Sequence, residues 1–280
     1  MFEKIGNSWA LIKASAAVLR ADKELIVFPI VSAIGVVVVM ISFAFPMLLA
    51  GFFDELLAGK SQVFGFVVGF AFYVVQYTVI IFANSALVGA AMIRLRGGDP
   101  TVGDGFRIAM QHIVSILAYA LLSATVGVIL RTIAERGKTL GRIVSSILGM
   151  AWNLATYLVV PVLVVEGIGP LEAVKRSASL LKKTWGEQIA GNLGMGAVFG
   201  LLTFVVFLVG IPLIVAAAST GSTVLIAAVV LTFVMVLVLL GLVNSTLNGI
   251  YVAAVYRYAA EGETGGFFSE DMVREAFRLK

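Results

Sequence analysis

No cysteine occurs among the 280 residues, and there is a single histidine, His112. Disulfides, thiolate metal sites and haem attachment are thereby excluded, and one imidazole cannot build an ordinary zinc centre. Charge is scarce as well. Asp, Glu, Lys and Arg make up 13% of the chain, about half of the roughly 25% carried by a soluble domain. Residues 188–256 contain no charged side chain at all, and neither do 25–53, 61–93, 108–130 and 143–165. No charge therefore stands in the middle of an apolar run. Such charges mark proton relays, ion-coupling sites and voltage sensors, so their absence argues against an ion-coupled pump and against intramembrane acid–base catalysis. The phosphate-cradling GxxxxGKS/T, the metalloprotease HExxH and the nucleophile elbow GxSxG are also missing. The chain reads as no enzyme, with no cofactor and no metal site. No long polar segment leaves room for a separate soluble domain.

What is present is apolar. Hydrophobic residues make up 60% of the chain, and the mean hydropathy is +1.06. Crossing about 30 Å of hydrocarbon takes roughly 20 apolar helical residues. The charge-free windows predict six spans, near 25–50, 63–93, 108–130, 143–165, 188–217 and 224–256. The last two are separated by the small and hydroxyl residues Ser219–Thr223. Barrel strands would alternate over about 10 residues, and these runs do not. The run from Leu25 to Phe53 is longer than the roughly 7–15 residues of a signal peptide's apolar region, so it reads as a permanent span. The expected fold is an all-α membrane protein with three helical hairpins.

Short amphipathic segments precede the hairpins, at 3–20, 101–112 and 169–185, and a fourth follows at 269–279. Apolar residues at three- and four-residue spacing beside Lys and Arg fit helices lying at the headgroup level. If the N-terminus, 94–107, 166–187 and the C-terminus share one side, that side holds fifteen of the twenty Lys and Arg. The positive-inside rule makes it cytoplasmic, with both termini inside the cell membrane. The exception is the 131–142 loop, with four basic residues on the outer side. Either the overall bias overrides it, or spans three and four form a hairpin that stops short of crossing. The net charge of +4 is scattered over these flanking segments. Anionic lipid headgroups are therefore the expected partner, and nucleic acid is not. Candidate headgroup contacts are Lys13, Arg20, Lys175, Arg176, Lys182 and Lys183.

The first and third units share details. Lys13-Ala-Ser-Ala-Ala matches Lys175-Arg-Ser-Ala-Ser, and Pro46 and Pro212 fall late in corresponding spans. Asn84-Ser-Ala-Leu-Val-Gly89 matches Asn244-Ser-Thr-Leu-Asn-Gly249. An even number of spans lies between the units, so the repeat is parallel. Ser85/Gly89 and Ser245/Gly249 have small-x-x-x-small spacing, and Gly65/Gly69 and Gly196/Gly200 are full GxxxG pairs. Small residues let helix backbones approach, and helix packing is the reading this pattern favours. The functional alternative is a polar seam along a solute path, built from Gln76, Asn84, Ser85, Asn244, Ser245 and Asn248. Glu166 closes the fourth span. It could pair with Lys175 or Arg176 at the interface, or hold a cation at a pore mouth.

The stretch Val160-Pro161 to Glu166, followed by Ala173-Val-Lys175-Arg176-Ser177, carries a resemblance. It is similar to a signature of uncharacterised prokaryotic six-span membrane families, and to the membrane domain attached to some glycerophosphodiester phosphodiesterases. The resemblance implies an integral membrane protein and brings no active site with it. Two functions remain open: passive or facilitated passage of a small solute or lipid through an oligomer, and a scaffold organising lipids or a partner protein.

Overall fold

Inside hydrocarbon every backbone N–H and C=O must be satisfied within the protein, which leaves helices and closed barrels. The computed structural model takes the helical solution throughout. It describes residues 2–49, 62–185 and 194–274, and contains no strand among them. The helices are α1 (Phe2–Ala21), α2 (Val27–Leu49), α3 (Gln62–Leu95), α4 (Val102–Gln111), α5 (Ile113–Arg136), α6 (Lys138–Ala155), α7 (Val159–Val165), α8 (Pro170–Trp185), α9 (Gly194–Ser219), α10 (Thr223–Glu261) and α11 (Glu270–Arg274). Six segments are long and apolar enough to cross a membrane: Lys23–Leu48, Val63–Leu95, Ile113–Arg136, Thr139–Val165, Val198–Ser219 and Thr223–Glu261. The expected span residues 50 and 188–193, and residues 275–279 of the last amphipathic segment, lie outside the described residues.

The packing follows the three-unit reading and adds an order that the sequence does not disclose. The hairpins are α2–α3, α5 with α6–α7, and α9–α10. Their second arms, α3, α7 and α10, meet one another at the centre. α4 packs on α3 of the hairpin before its own, and α8 packs on α5, α6 and α7 of the hairpin before its own and on α10 of its own. The first unit has no predecessor, and α1 closes the ring by packing on α9 and α10 of the last.

Burial is concentrated at one end. Leu25, Leu87, Ile116, Leu163, Ile250 and Val255 are among the fully buried residues there. Toward the other end, Ile41, Phe45, Val63, Phe66, Leu231 and Leu239 stand exposed, as suits helices whose solvent is lipid. The apolar faces of the amphipathic helices are used inside the protein. Leu11 and Val18 of α1, Ala109 of α4, and Ala173, Leu180 and Leu181 of α8 are all buried. α4 is started by a reciprocal capping box between Thr101 and Asp104.

The segments grouped by their basic residues do share one end. Arg94 donates to the Ala21 carbonyl at 3.0 Å, Val102 N–H to Glu24 at 3.0 Å, and Tyr256 OH to Glu166 at 3.1 Å. At the opposite end Arg131 donates to the Tyr73 hydroxyl at 3.2 Å. The 24 residues of α5 extend about 36 Å at 1.5 Å per residue, long enough for a full crossing.

Two of the small-residue positions are close contacts between units. A Cβ added at Gly249 would lie 2.3 Å from Leu87 Cδ2, and one at Gly89 would lie 2.9 Å from Ile108 Cγ2. The GxxxG positions behave differently. A Cβ at Gly69, Gly196 or Gly200 would meet no atom within 4 Å among the described residues, so these three face no other described helix. We predict that Gly249→Ala lowers stability by roughly 1–3 kcal/mol through overpacking. Leu87→Ala in the same chain should return part of that loss. Thermal unfolding of the two single variants and the double variant in detergent measures both effects.

Candidate functional site

Pro161 shapes the centre of the molecule. It has no N–H to donate to the Tyr157 carbonyl, and its ring crowds that carbonyl, so an unbroken helix cannot run through it without a kink. The fourth span, expected as one helix over 143–165, is accordingly two. α6 stops at Ala155 and α7 starts at Val159. The break is closed by local bonds. Thr156 N–H donates to the Trp152 carbonyl at 2.9 Å, Tyr157 N–H to Leu154 at 3.2 Å and Val159 N–H to Thr156 at 3.1 Å. The remaining N–H, that of Leu158, donates at 3.0 Å to Ser177 Oγ on α8, and this bond is buried.

The same short stretch holds α8 in place. Gly167 adopts a left-handed φ of 66°, which favours glycine, and the chain turns back on itself. Pro170 is the first residue of α8, where its missing N–H costs nothing. Arg176 Nε then lies 3.0 Å from both Glu166 oxygens, and Tyr256 OH donates to the same carboxylate. Glu166 thus takes the arginine of the two partners expected for it. The signature from Val160 to Ser177 is a closed helix–turn–helix: Pro161 opens the span, Ser177 caps the opening and Glu166–Arg176 fastens the turn.

Hydroxyl groups surround the break. The Tyr119 hydroxyl lies beside Thr156 and Ser123, and Tyr251 lies beside Tyr157. Tyr119 and Tyr251 are both buried. The sequence reading missed this group because it sought amides. A proline in mid-span, with Thr and Tyr within five residues before it, was the available signal.

A second constellation ties the helix ends together. Arg257, only 7% exposed, donates to the Leu95 carbonyl at the end of α3, pairs with Glu263 and lies 3.4 Å from Glu261. Arg96 pairs with Glu261 as well. Arg94 donates to the Gly98 and Ala21 carbonyls at 3.0 Å and lies 3.7 Å from Asp22. Burial raises the Asp22 carboxyl above the usual carboxylate range, with Arg94 opposing the shift.

Beside these ends is a cavity of about 400 Å³, lined by Gly89, Met92, Ile93, Arg96, Gly98, Ile108, Gln111, His112, Val164 and Val165. A largely apolar groove of about 490 Å³ runs between α9 and α10, past Gly210, Thr232 and Phe233. Neither is lined by a residue of the expected seam. Within the seam, Ser85 is fully buried. Its Oγ and Gln76 Oε1 have no hydrogen-bond partner among the described residues. Asn84, Asn244 and Ser245 are half-buried and Asn248 is exposed. Lys13, Arg20, Lys175, Lys182 and Lys183 are exposed, with Lys13 Nζ 5.8 Å from the Trp9 ring centre.

Long apolar helices, lipid-facing side chains and a packed polar end define a multi-pass, all-α membrane protein. The chain belongs to the DUF6159 family, a family of unknown function, whose model matches residues 63–267. That match takes in the broken span, its Ser177 cap and the cavity. No curated protein and no solved structure matches the chain.

We predict that Ser177→Ala, which leaves the Leu158 N–H buried without an acceptor, costs roughly 1–3 kcal/mol. Ser177→Thr, which keeps the hydroxyl, should lose less. Chemical unfolding in mixed micelles compares the two.

Proposed function

We propose that the protein conducts a small solute or lipid across the membrane by facilitated passage, as an oligomer. The observation that carries this reading is the broken fourth span. Irregular backbone at membrane depth is tolerated where it is buried in protein or lines a cavity, and carriers place their substrate sites at discontinuous helices between structural repeats. Here the break at residues 156–158 lies among the hydroxyls of Tyr119, Ser123 and Thr156, on the second arm of a hairpin that meets the second arms of the other two. The seam residues Gln76, Asn84, Ser85 and Asn244 belong to those neighbouring arms. Among the described residues Gly69, Gly196 and Gly200 face no other helix, which supports contact with a second copy.

The scaffold reading rests on amphipathic helices free to insert into lipid. α1, α4 and α8 spend much of their apolar faces on the hairpins, so passage has the stronger support. We infer from the positive-inside rule that the basic end and both termini are cytoplasmic, and the resemblance to prokaryotic families supports an inner membrane as the location.

Reconstitution in liposomes tests the proposal, with efflux of small solutes and exchange of labelled lipid between leaflets as readouts. Wild type should exceed empty liposomes. Asn84→Leu/Asn244→Leu and Tyr119→Phe/Thr156→Val should each slow transfer about tenfold, the effect of losing roughly 1.4 kcal/mol at the rate-limiting step. Wild-type flux equal to that of empty liposomes defeats the proposal. Full flux in the Asn84→Leu/Asn244→Leu variant removes the amide seam from the path.

A further inference from the structure

We propose that the cavity beside α3, α4 and α7 is a binding site for a phosphate ester, either the headgroup of a lipid or a soluble ester. Its volume of about 400 Å³ falls within the roughly 300–1,000 Å³ usual for small-molecule sites. Its lining is divided. Arg96, Gln111, His112 and the backbone of Gly98 supply the polar part, and Met92, Ile93, Ile108, Val164 and Val165 the apolar part. A phosphate carrying a short apolar body matches both.

The polar groups have donors to spare. Neither the His112 imidazole nor the Gln111 amide makes a hydrogen bond within the described residues. The His112 ring lies against Gly167, whose added Cβ would be 3.5 Å from Cε1. Arg96 is engaged by Glu261 through one terminal nitrogen, and a guanidinium fork has five N–H donors. Glu261 has a second partner in Arg257, at 3.4 Å. When Arg96 turns to a phosphate, Glu261 still has a positive neighbour. Arginine is suited to this ligand because its planar fork matches two phosphate oxygens at once. The site lies at the end of the bundle that holds fifteen of the twenty Lys and Arg. Binding here does not depend on passage: a ligand can occupy the cavity in a protein that conducts nothing.

Calorimetric titration of the full chain in a non-ionic detergent tests the site. The probes are dihexanoyl phosphatidic acid, inorganic phosphate and dihexanoylglycerol. Saturable binding of phosphatidic acid alone assigns the site to a lipid headgroup. Binding of inorganic phosphate as well assigns it to the phosphate group from either source. Arg96→Gln should weaken binding at least tenfold, and Glu261→Gln, which releases Arg96, should tighten it. His112→Leu and Gln111→Leu, at positions without a hydrogen bond to lose, should each weaken it several-fold in a protein that melts like wild type. The proposal is overturned if dihexanoylglycerol binds as well as phosphatidic acid, if neither phosphate probe binds, or if Arg96→Gln and His112→Leu both bind at wild-type strength. Flux in liposomes reads the path and not this cavity, so the two proposals fail separately.

Discussion

A backbone N–H in hydrocarbon has no water to fall back on, and the central architecture of this protein follows from one such group. The fourth span opens just before Pro161, between Ala155 and Val159, and the Leu158 N–H is left facing the interior. Its acceptor, Ser177 Oγ, comes from a helix that starts nine residues after the proline. To deliver that oxygen, α8 has to fold back against α5, α6 and α7. The Gly167 turn and the Arg176–Glu166 pair hold it there. One unsatisfied donor thus draws a charged, amphipathic helix out of the surface and into the packed end.

The same end illustrates how a membrane protein organises itself without a hydrophobic drive between its helices. Along the exposed halves of α2, α3, α9 and α10, lipid is as good a neighbour for Val, Leu and Phe as another helix. Close association is instead built where backbones can touch, as at Gly249 against Leu87 and Gly89 against Ile108. It is also built where polar groups must be shared. Arg257 and Arg94 both donate to carbonyls at helix ends, groups that an α-helix leaves without internal partners. The buried arginine, the shared carboxylates and the capped break occupy one region, and the cavity opens beside them.

Much of this was legible in the residues. Charge-free windows located the six spans because burying a charge in lipid is costly. The spacing of short polar segments revealed three hairpins, and the Lys and Arg count identified which segments share an end. The pairing of Glu166 with Arg176 was one of two options read from their proximity in sequence. The glycines divided. Gly89 and Gly249 are close contacts, whereas Gly69, Gly196 and Gly200 of the stronger-looking pairs touch no other helix among the described residues. A spacing rule reports which residues share a helix face, not what that face meets. The hydroxyl cluster stayed hidden for a related reason: Tyr119, Thr156 and Tyr251 are far apart in the chain and carry no common pattern.

Hydropathy and charge are properties of consecutive residues, so the sequence by itself determined the solvent, the number of crossings and their alternation. Pro161 by itself did not dictate the break, since Pro46 and Pro212 stand inside continuous helices. Only the tertiary structure decided which group repairs that break, which unit each amphipathic helix joins and where a cavity remains. Those outcomes depend on pairs of residues from different units, such as Ser177 with Leu158, Arg257 with Leu95, and Arg96 with His112 across the cavity. The ring closed by α1 on α9 and α10 is the clearest case. The first and last units of the chain become neighbours, and nothing in the order of residues requires it.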